Sequence, residues 1–142
     1  MEYSSIHLNN LPDEILLIIF NKLNNVTLLY SLLGVNKRLN KIAHDSIFTS
    51  HLSLLRYCSD HSIYPLIDSI LDRFCSKILP KIHYKIKRIN LESSSMKRIL
   101  LATNYPNLYG LGLYNLDSEK ALYLFIDKTF QFFYSLINGK YR

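Results

Sequence analysis

The first apolar segment of the chain predicts a helix with more apolar surface than one packing face requires. Pro12 is followed by Asp13 and Glu14, an order typical of a helix start, because proline has no N–H to leave unpaired and carboxylates favour the positive end of the helix dipole. We take Pro12 as the first helical residue. The apolar positions after it are Ile15, Leu16, Ile18, Ile19, Phe20 and Leu23. We therefore expect one stripe to pack inside the chain and another to remain for a partner.

Two more helices are predicted downstream. Asn24 and Asn25 can end the first helix and cap a second over 26–33, in which leucines recur at helical spacing. Gly34 ends this second helix, and the basic segment 35–43 follows it. The apolar residues on one side of that segment are Val35, Leu39, Ile42 and Ala43. The pattern predicts a compact unit of three helices.

This region resembles an F-box, the short helical module by which substrate receptors of SCF-type ubiquitin ligases dock onto a Skp-family linker protein. The family pattern Leu-Pro-x-Glu-Ile-Leu-x-x-Ile-Phe-x-x-Leu is matched by Leu11, Pro12, Glu14, Ile15, Leu16, Ile19, Phe20 and Leu23. A second family element is matched by Val35, Lys37 and Arg38, and the unit ends near Phe48. Asn36 replaces the usual Cys and Leu39 the usual Trp, which removes aromatic contact area. The alternative is a helical hairpin whose apolar residues all lie in its own core.

The resemblance implies a non-enzymatic adaptor that binds a Skp-family linker, and through it a cullin-RING ligase, and presents a protein substrate for ubiquitination. The residues that it implies for linker binding are Leu11, Pro12, Glu14, Ile15, Ile19, Phe20, Leu23, Leu33, Val35 and Leu39. An F-box scaffold or competitor that binds the linker without a substrate is also compatible with these residues. No cofactor or metal ion is expected for either role.

A spacing rule appears in the second half of the chain. The apolar-x-x-apolar-x-apolar triplet Ile86, Ile89, Leu91 is repeated 22 residues later by Leu108, Leu111 and Leu113. Between the triplets, Met96, Ile99 and Leu100 predict one side of a short helix. A strand, a helix and a turn at this interval resemble leucine-rich repeats, whose period is about 20–29 residues. An ordinary α/β layer with a leucine core is the alternative.

The two regions are joined by a predicted amphipathic helix over 66–79, with Pro65 near its start and Pro80 past its end. Leu52-x-Leu54 predicts an earlier strand. The predicted organisation is an F-box at 6–50, a linking strand and amphipathic helix at 51–82, and a leucine-rich-repeat-like region at 83–142. This last region has only two repeat units, fewer than the three that a stable stack needs, so we expect the array to be incomplete. The fold class is α+β, mostly α: a three-helix F-box followed by a short, irregular strand-helix array.

Residues between the repeated apolar positions are the candidates for substrate contact. Because side chains alternate between the faces of a strand, Arg88, Asn90 and Glu92 share one face with Gly110, Gly112 and Tyr114. We select Arg88, Asn90, Tyr109 and Tyr114 as candidate contacts. The bare backbone of Gly110 and Gly112 either admits a peptide or another chain, or marks a twist or bulge.

The C-terminal segment departs from the repeat. Ser118 can cap a helix that continues through Leu122 and Ile126, and the segment 129–137 is densely aromatic. A repeat array normally closes with a polar cap. This apolar surface predicts a strand paired with the last repeat, a dimer contact, or a chain shortened relative to longer relatives.

A net charge of +6 raises nucleic-acid binding as an alternative function. The basic residues that lie close together are Lys77, Lys81, Lys85, Lys87, Arg88, Lys97 and Arg98, with Tyr84 and Tyr105 nearby for stacking. The charge comes mostly from Lys, and the sequence has no aromatic–basic alternation and no recognition helix with its turn. These features disfavour nucleic acid as the partner.

Catalytic, metal-binding and membrane motifs are not found. The histidines lack zinc-site spacing, no glycine-rich phosphate loop exists, and Cys58 near His61 lacks the orienting group of a thiol–base pair. No apolar run approaches the ~20 residues of a membrane span, and the N-terminus lacks a signal-peptide pattern. Cys58 and Cys75 have no CxxC spacing, so we expect free thiols and a cytoplasmic or nuclear location.

Overall fold

The structure, a computed structural model, describes residues 7–127, with the side chains of Leu124 and Phe125 left aside. The predicted aromatic segment 129–137 lies outside the described residues. A short 3-10 turn, Leu8–Asn10, leads into four helices. These are α1 (Asp13–Phe20), α2 (Asn25–Leu32), α3 (Lys37–Ala43) and α4 (Ser46–Thr49).

Polar side chains fix where three of these helices begin. The side chains of Asn24, Asn36 and Asp45 accept hydrogen bonds from backbone N–H groups two or three residues ahead, at 2.8–3.0 Å. Pro12, by contrast, is extended, with a ψ of 154°, so it precedes α1 and is not the first helical residue as predicted. Gly34 has a φ of +87°, a left-handed conformation that favours glycine and turns the chain between α2 and α3.

Four strands form one sheet in the order β2-β1-β3-β4. They are β1 (His51–Tyr57), β2 (Ile63–Pro65), β3 (Arg88–Glu92) and β4 (Gly110–Tyr114). The β1–β2 pair is antiparallel and the other two pairs are parallel. Ile89 lies opposite both Leu52 and Leu111, and Leu91 lies opposite both Leu54 and Leu113. The 22-residue spacing seen in the sequence is thus the strand register, and the predicted strand at Leu52-x-Leu54 is confirmed.

Helices connect the parallel strands. The first connection contains α5 (Asp68–Arg73), a π-helical turn (Phe74–Ile78), α6 (Leu79–Ile82) and a 3-10 turn (His83–Lys85). A 3-10 turn (Ser93–Ser95) and α7 (Met96–Ala102) connect β3 to β4, and α8 (Ser118–Ile126) follows β4. The side chain of Asp117 caps α8, one residue before the predicted cap at Ser118.

The helix predicted to end before Pro80 continues through it. The N–H of Leu79 bonds to the carbonyl of Phe74, five residues back, and this wider turn starts α6 anew. Pro80 then stands in the first turn of α6, where proline is tolerated because its fixed φ suits the helix and a first-turn N–H has no partner within that helix. The sequence-based end of the helix was therefore wrong, and the single stretch of helix reaches Ile82.

One hydrophobic core joins the helices of the N-terminal region to the sheet. It runs from Leu16 and Phe20 of α1, through Leu52 and Leu54 of β1, to Leu108 before β4. The π-helical turn contacts both α2 and α7, so it is packed against both halves of the described chain. We infer that these elements unfold together, because no boundary divides the buried residues.

Gly110 and Gly112 accommodate side chains of the neighbouring strand. A Cβ atom at Gly112 would lie 2.3 Å from Oδ1 of Asn90, and one at Gly110 would lie 2.9 Å from Nη1 of Arg88. The pairing of β3 with β4 runs without interruption. The space beside the two glycines is filled by this chain's own side chains and not by a peptide, and the continuous pairing shows that the predicted bulge is absent from β4.

We expect Gly112→Ala to lower the free energy of unfolding by about 1–3 kcal/mol, because the new methyl group displaces Asn90 from its hydrogen bond to the Ser53 hydroxyl. Urea unfolding followed by circular dichroism measures this loss. In an Asn90→Ala background, the same Gly112→Ala change is expected to lower the free energy of unfolding by much less. Equal losses in both backgrounds would show that the Asn90 side chain is not the obstacle.

Candidate docking surface

Helix α1 has two apolar faces. Leu16 and Phe20 are buried in the core, whereas Ile15, Ile18 and Ile19 are exposed, Ile18 to 58%. Large exposed side chains also stand at positions flanking α1 and at the α2–α3 turn: Leu8, Leu23 and Val35. The predicted division into a buried and an exposed stripe is confirmed, and the hairpin with all its apolar residues internal is not what the chain forms. We call Leu8, Ile15, Ile18, Ile19, Leu23 and Val35 the apolar surface.

The ten residues implied for linker binding separate by exposure. Pro12, Glu14, Ile15, Ile19, Leu23 and Val35 are exposed, and Leu11 is half-buried against the core. Phe20, Leu33 and Leu39 are only 2%, 5% and 4% exposed. In the chain without a partner, these three side chains fill the shared core and support the exposed residues from beneath. Ile18 and Leu8 are exposed as well and were not in the predicted set, although Ile18 follows Ile15 at the i, i+3 spacing that places both on one helical face.

Arg38 holds the segment before α1 against α3. Its guanidinium donates to the carbonyls of Asn9 (2.7 Å) and Leu11 and pairs with the carboxylate of Asp13 (2.8 Å). The Asn36 amide adds a hydrogen bond to Oδ1 of Asn9. The match of Arg38 to the family pattern thus has a physical basis here, because Arg38 fixes the backbone on which the apolar surface is built.

Replacing this guanidinium should loosen the N-terminal segment. We expect Arg38→Met to lower the free energy of unfolding by about 1–2 kcal/mol, since two carbonyls lose a charged donor while the exposed Asp13 ion pair contributes little. Lys37→Met, at an exposed position on the same turn, is the matched control and should leave stability nearly unchanged. Urea unfolding of both variants makes the comparison. Equal stabilities of the two variants would contradict the role of Arg38 in holding the N-terminal segment against α3.

The sheet brings the candidate substrate contacts together with two residues that sequence reasoning missed. Arg88 and Tyr109 are exposed, and Asn90 and Tyr114 are half-buried. The Asn90 amide donates to Ser53 Oγ (3.2 Å), and His51 Nε2 lies 3.3 Å from the Tyr109 hydroxyl. His51 and Ser53 alternate with the core residues of β1, and that alternation was the available signal.

Glu92 does not share the exposed face that its position in β3 predicts. It is 4% exposed, and its carboxylate accepts from the Ser94 backbone N–H (3.0 Å) and from the hydroxyls of Ser93 and Ser94. These donors satisfy the buried charge. Glu92 therefore holds the turn after β3.

The basic residues do not form one free cationic surface. Arg98 pairs with Asp68 (3.3 Å) and Asp72, Lys97 lies 3.9 Å from an Asp127 oxygen, and Lys85 donates to a backbone carbonyl. Tyr105, proposed for base stacking, is buried and donates to the carbonyl of Ile99 at 2.5 Å. Burial also raises the pKa of Tyr105 well above its usual range. The stacking role of Tyr105 is therefore wrong.

The thiols occupy ordinary environments. Cys58 and Cys75 are free and half-buried, and burial raises the pKa of Cys75. The Cys58 carbonyl accepts from the His61 N–H (3.0 Å), so these two residues close the turn between β1 and β2. Among residues 7–127 no cluster of three or more His, Cys, Asp or Glu side chains could hold a metal ion. Over the same range, no helix combines the length and the apolar character needed to cross a bilayer.

A known family model matches the N-terminal part of the chain. Residues 8–54 match the family model described as F-box-like, a region that contains the 3-10 turn, helices α1–α4 and the first part of β1. All residues of the apolar surface fall inside it. No curated protein matches the chain.

Proposed function

Because residues 8–54 form an F-box-like domain, we propose that this protein is a non-enzymatic adaptor that docks a Skp-family linker and presents a protein substrate for ubiquitination. The observation that carries the proposal is the exposed apolar stripe of α1 within the matched region. A helix face with three large exposed isoleucine side chains is unfavourable in water and becomes favourable when a partner covers it.

The proposed linker contacts combine the exposed and half-buried members of the implied set with Leu8 and Ile18, which the structure shows to be exposed. They are Leu8, Leu11, Pro12, Glu14, Ile15, Ile18, Ile19, Leu23 and Val35. An interface of standard size would bury ~800 Å² on each partner. Glu14 lies in the first turn of α1, where its charge favours the helix dipole and can meet polar groups at the rim.

Substrate presentation falls to the sheet and its connecting helices, which we regard as a short leucine-rich-repeat-like array. Support comes from the parallel register of β1, β3 and β4 and from the 22-residue recurrence of strand and helix. Arg88, Asn90, Tyr109 and Tyr114 remain the candidate contacts on its exposed face. The continuous core fixes this face relative to the apolar surface, and that geometry determines how a substrate faces the ligase.

Co-purification tests the proposal. The full chain and a Skp-family linker are co-expressed, with the tag on the linker alone, and a stable complex on size exclusion is the expected result. A linker that elutes without the chain would contradict the docking function. Recovery of a cullin in the same complex distinguishes a ligase receptor, located in the cytosol or nucleus, from a scaffold or competitor that binds the linker alone.

A further inference from the structure

A cavity of ≈ 820 Å³ lies between α2 and β1, and no residue of the apolar surface lines it. Its lining residues belong to the beginning of α2, to β1 with the turn after it, and to the segment that leads into and begins α5. None of the proposed linker contacts is among them. Its volume is typical of ligand sites, which range over about 300–1,000 Å³.

The cavity combines an apolar interior with polar groups at its sides. Val26, Leu55, Leu66 and Ile70 supply aliphatic surface. The lining also has hydroxyl groups that can hydrogen-bond to a polypeptide backbone, those of Thr27, Tyr30, Ser53 and Tyr57. The arrangement suits one large apolar side chain carried on an extended segment of chain.

The charge around the cavity is of one sign. No Asp or Glu lines it, whereas Arg56 does, and the guanidinium of Arg73 stacks 4.7 Å from the ring centroid of Tyr30 at its wall. Neither arginine has an ion pair among the described residues. Nε of Arg56 donates to the carbonyl of Pro65 at 2.8 Å, and its guanidinium lies 5.7 Å from the Tyr64 ring centroid. The carboxylates nearest to Arg73 in sequence, Asp68 and Asp72, are engaged by Arg98. In a chain of net charge +6, this site is complementary to a carboxylate.

We infer that the cavity binds an acidic segment of a substrate protein, with a large apolar side chain inside it and a neighbouring Asp or Glu paired with Arg56 or Arg73. That the bound segment belongs to a ligase substrate rests on the proposed adaptor function, whereas the binding of an acidic segment in the cavity does not. Helix α2, which forms one wall, belongs to the F-box-like region, and it shares the core with α1. A segment bound here would be held rigidly beside the linker.

The test uses a phage-displayed library of random peptides selected on the immobilised full chain. We expect enrichment of sequences that combine Asp or Glu with a large apolar residue. A synthetic fluorescent copy of a selected peptide is then titrated by anisotropy at low and high salt, and its affinity should fall as salt rises. Selection of basic peptides, or of none, would overturn the inference.

Two variants locate the binding. Arg56→Glu with Arg73→Glu should weaken the peptide by about tenfold or more through charge repulsion, and Thr27→Trp should do so by filling the cavity from an exposed position of α2. Lys77→Glu with Lys81→Glu, both exposed and outside the cavity, imposes the same change in net charge and should leave affinity unchanged. Thermal unfolding confirms that each variant is folded. Equal affinity for all variants would place the peptide elsewhere and overturn the inference.

The same variants are assayed for linker binding, which keeps the two proposals separable. Cavity variants that lose the peptide should retain the linker, because the apolar surface is unchanged. Failure of the unaltered chain to bind the linker would contradict the adaptor function, whereas peptide selection and anisotropy would still decide whether the cavity binds an acidic segment.

Discussion

Ile15→Asp combined with Ile18→Asp is expected to abolish linker binding while the chain stays folded. Both side chains are exposed, Ile18 to 58%, so their loss removes little core packing, and we expect a change in stability of about 1 kcal/mol or less. In the complex, each isoleucine contributes about 1.5–3 kcal/mol of burial, and each new carboxylate must be desolvated. Together these effects weaken binding by about a hundredfold or more. Isothermal titration with a purified Skp-family linker measures the loss.

Leu101→Asp is the matched control for that experiment. Leu101 is a comparably exposed aliphatic residue, at 56%, but it lies on α7, outside the F-box-like region. The control should bind the linker as the unaltered chain does. If the α1 variant binds equally well, the apolar surface is not the docking site, even if the chain proves to bind the linker.

Periodic apolar signals predicted α1, α2, α3 and the parallel strands, whereas the predicted unit of three helices was wrong: it has a fourth helix, α4, whose four residues are too few to show a period. Helical spacing identified α1, and the repeated triplet identified β3 and β4 together with their register. The β1–β2 hairpin was missed, since β2 is only three residues long and shows no alternation. The predicted end of the helix before Pro80 was wrong because a π-helical turn precedes this proline. Such a turn is defined by its backbone hydrogen bonds, which cannot be predicted from residue types.

Site residues were harder to predict than elements, for a different reason. A family pattern records which positions are apolar, but not whether each side chain is covered by a partner or by its own fold. The family resemblance selected Ile15 and also Phe20, Leu33 and Leu39. The last three are nevertheless enclosed in the core that the helices share with the sheet and the π-helical turn. Ile18 occupies an unspecified position of the pattern and is exposed. Burial depends on tertiary neighbours, which lie far away in sequence.

This difference between pattern and burial gives the second large effect. Phe20→Ala is expected to lower the free energy of unfolding by about 3–5 kcal/mol, because the ring is 2% exposed and its removal leaves a cavity in the shared core. That is a large part of the roughly 5–15 kcal/mol that stabilises a domain. Ile19→Ala, one residue earlier and 38% exposed, should cost far less. Urea unfolding followed by far-ultraviolet circular dichroism compares the two variants.

Linker affinity separates the two roles that Phe20 could play. Phe20→Leu keeps most of the buried volume, so the variant remains folded at low temperature and its linker affinity can be measured directly. If Phe20 only supports α1 from beneath, the folded variant binds the linker nearly as tightly as the unaltered chain, while Ile19→Ala binds more weakly. The reverse order, with Phe20→Leu impaired in binding and Ile19→Ala not, would mean that α1 rotates on docking to expose the ring. Because both faces of α1 are apolar, this comparison of neighbouring residues decides which face meets the partner.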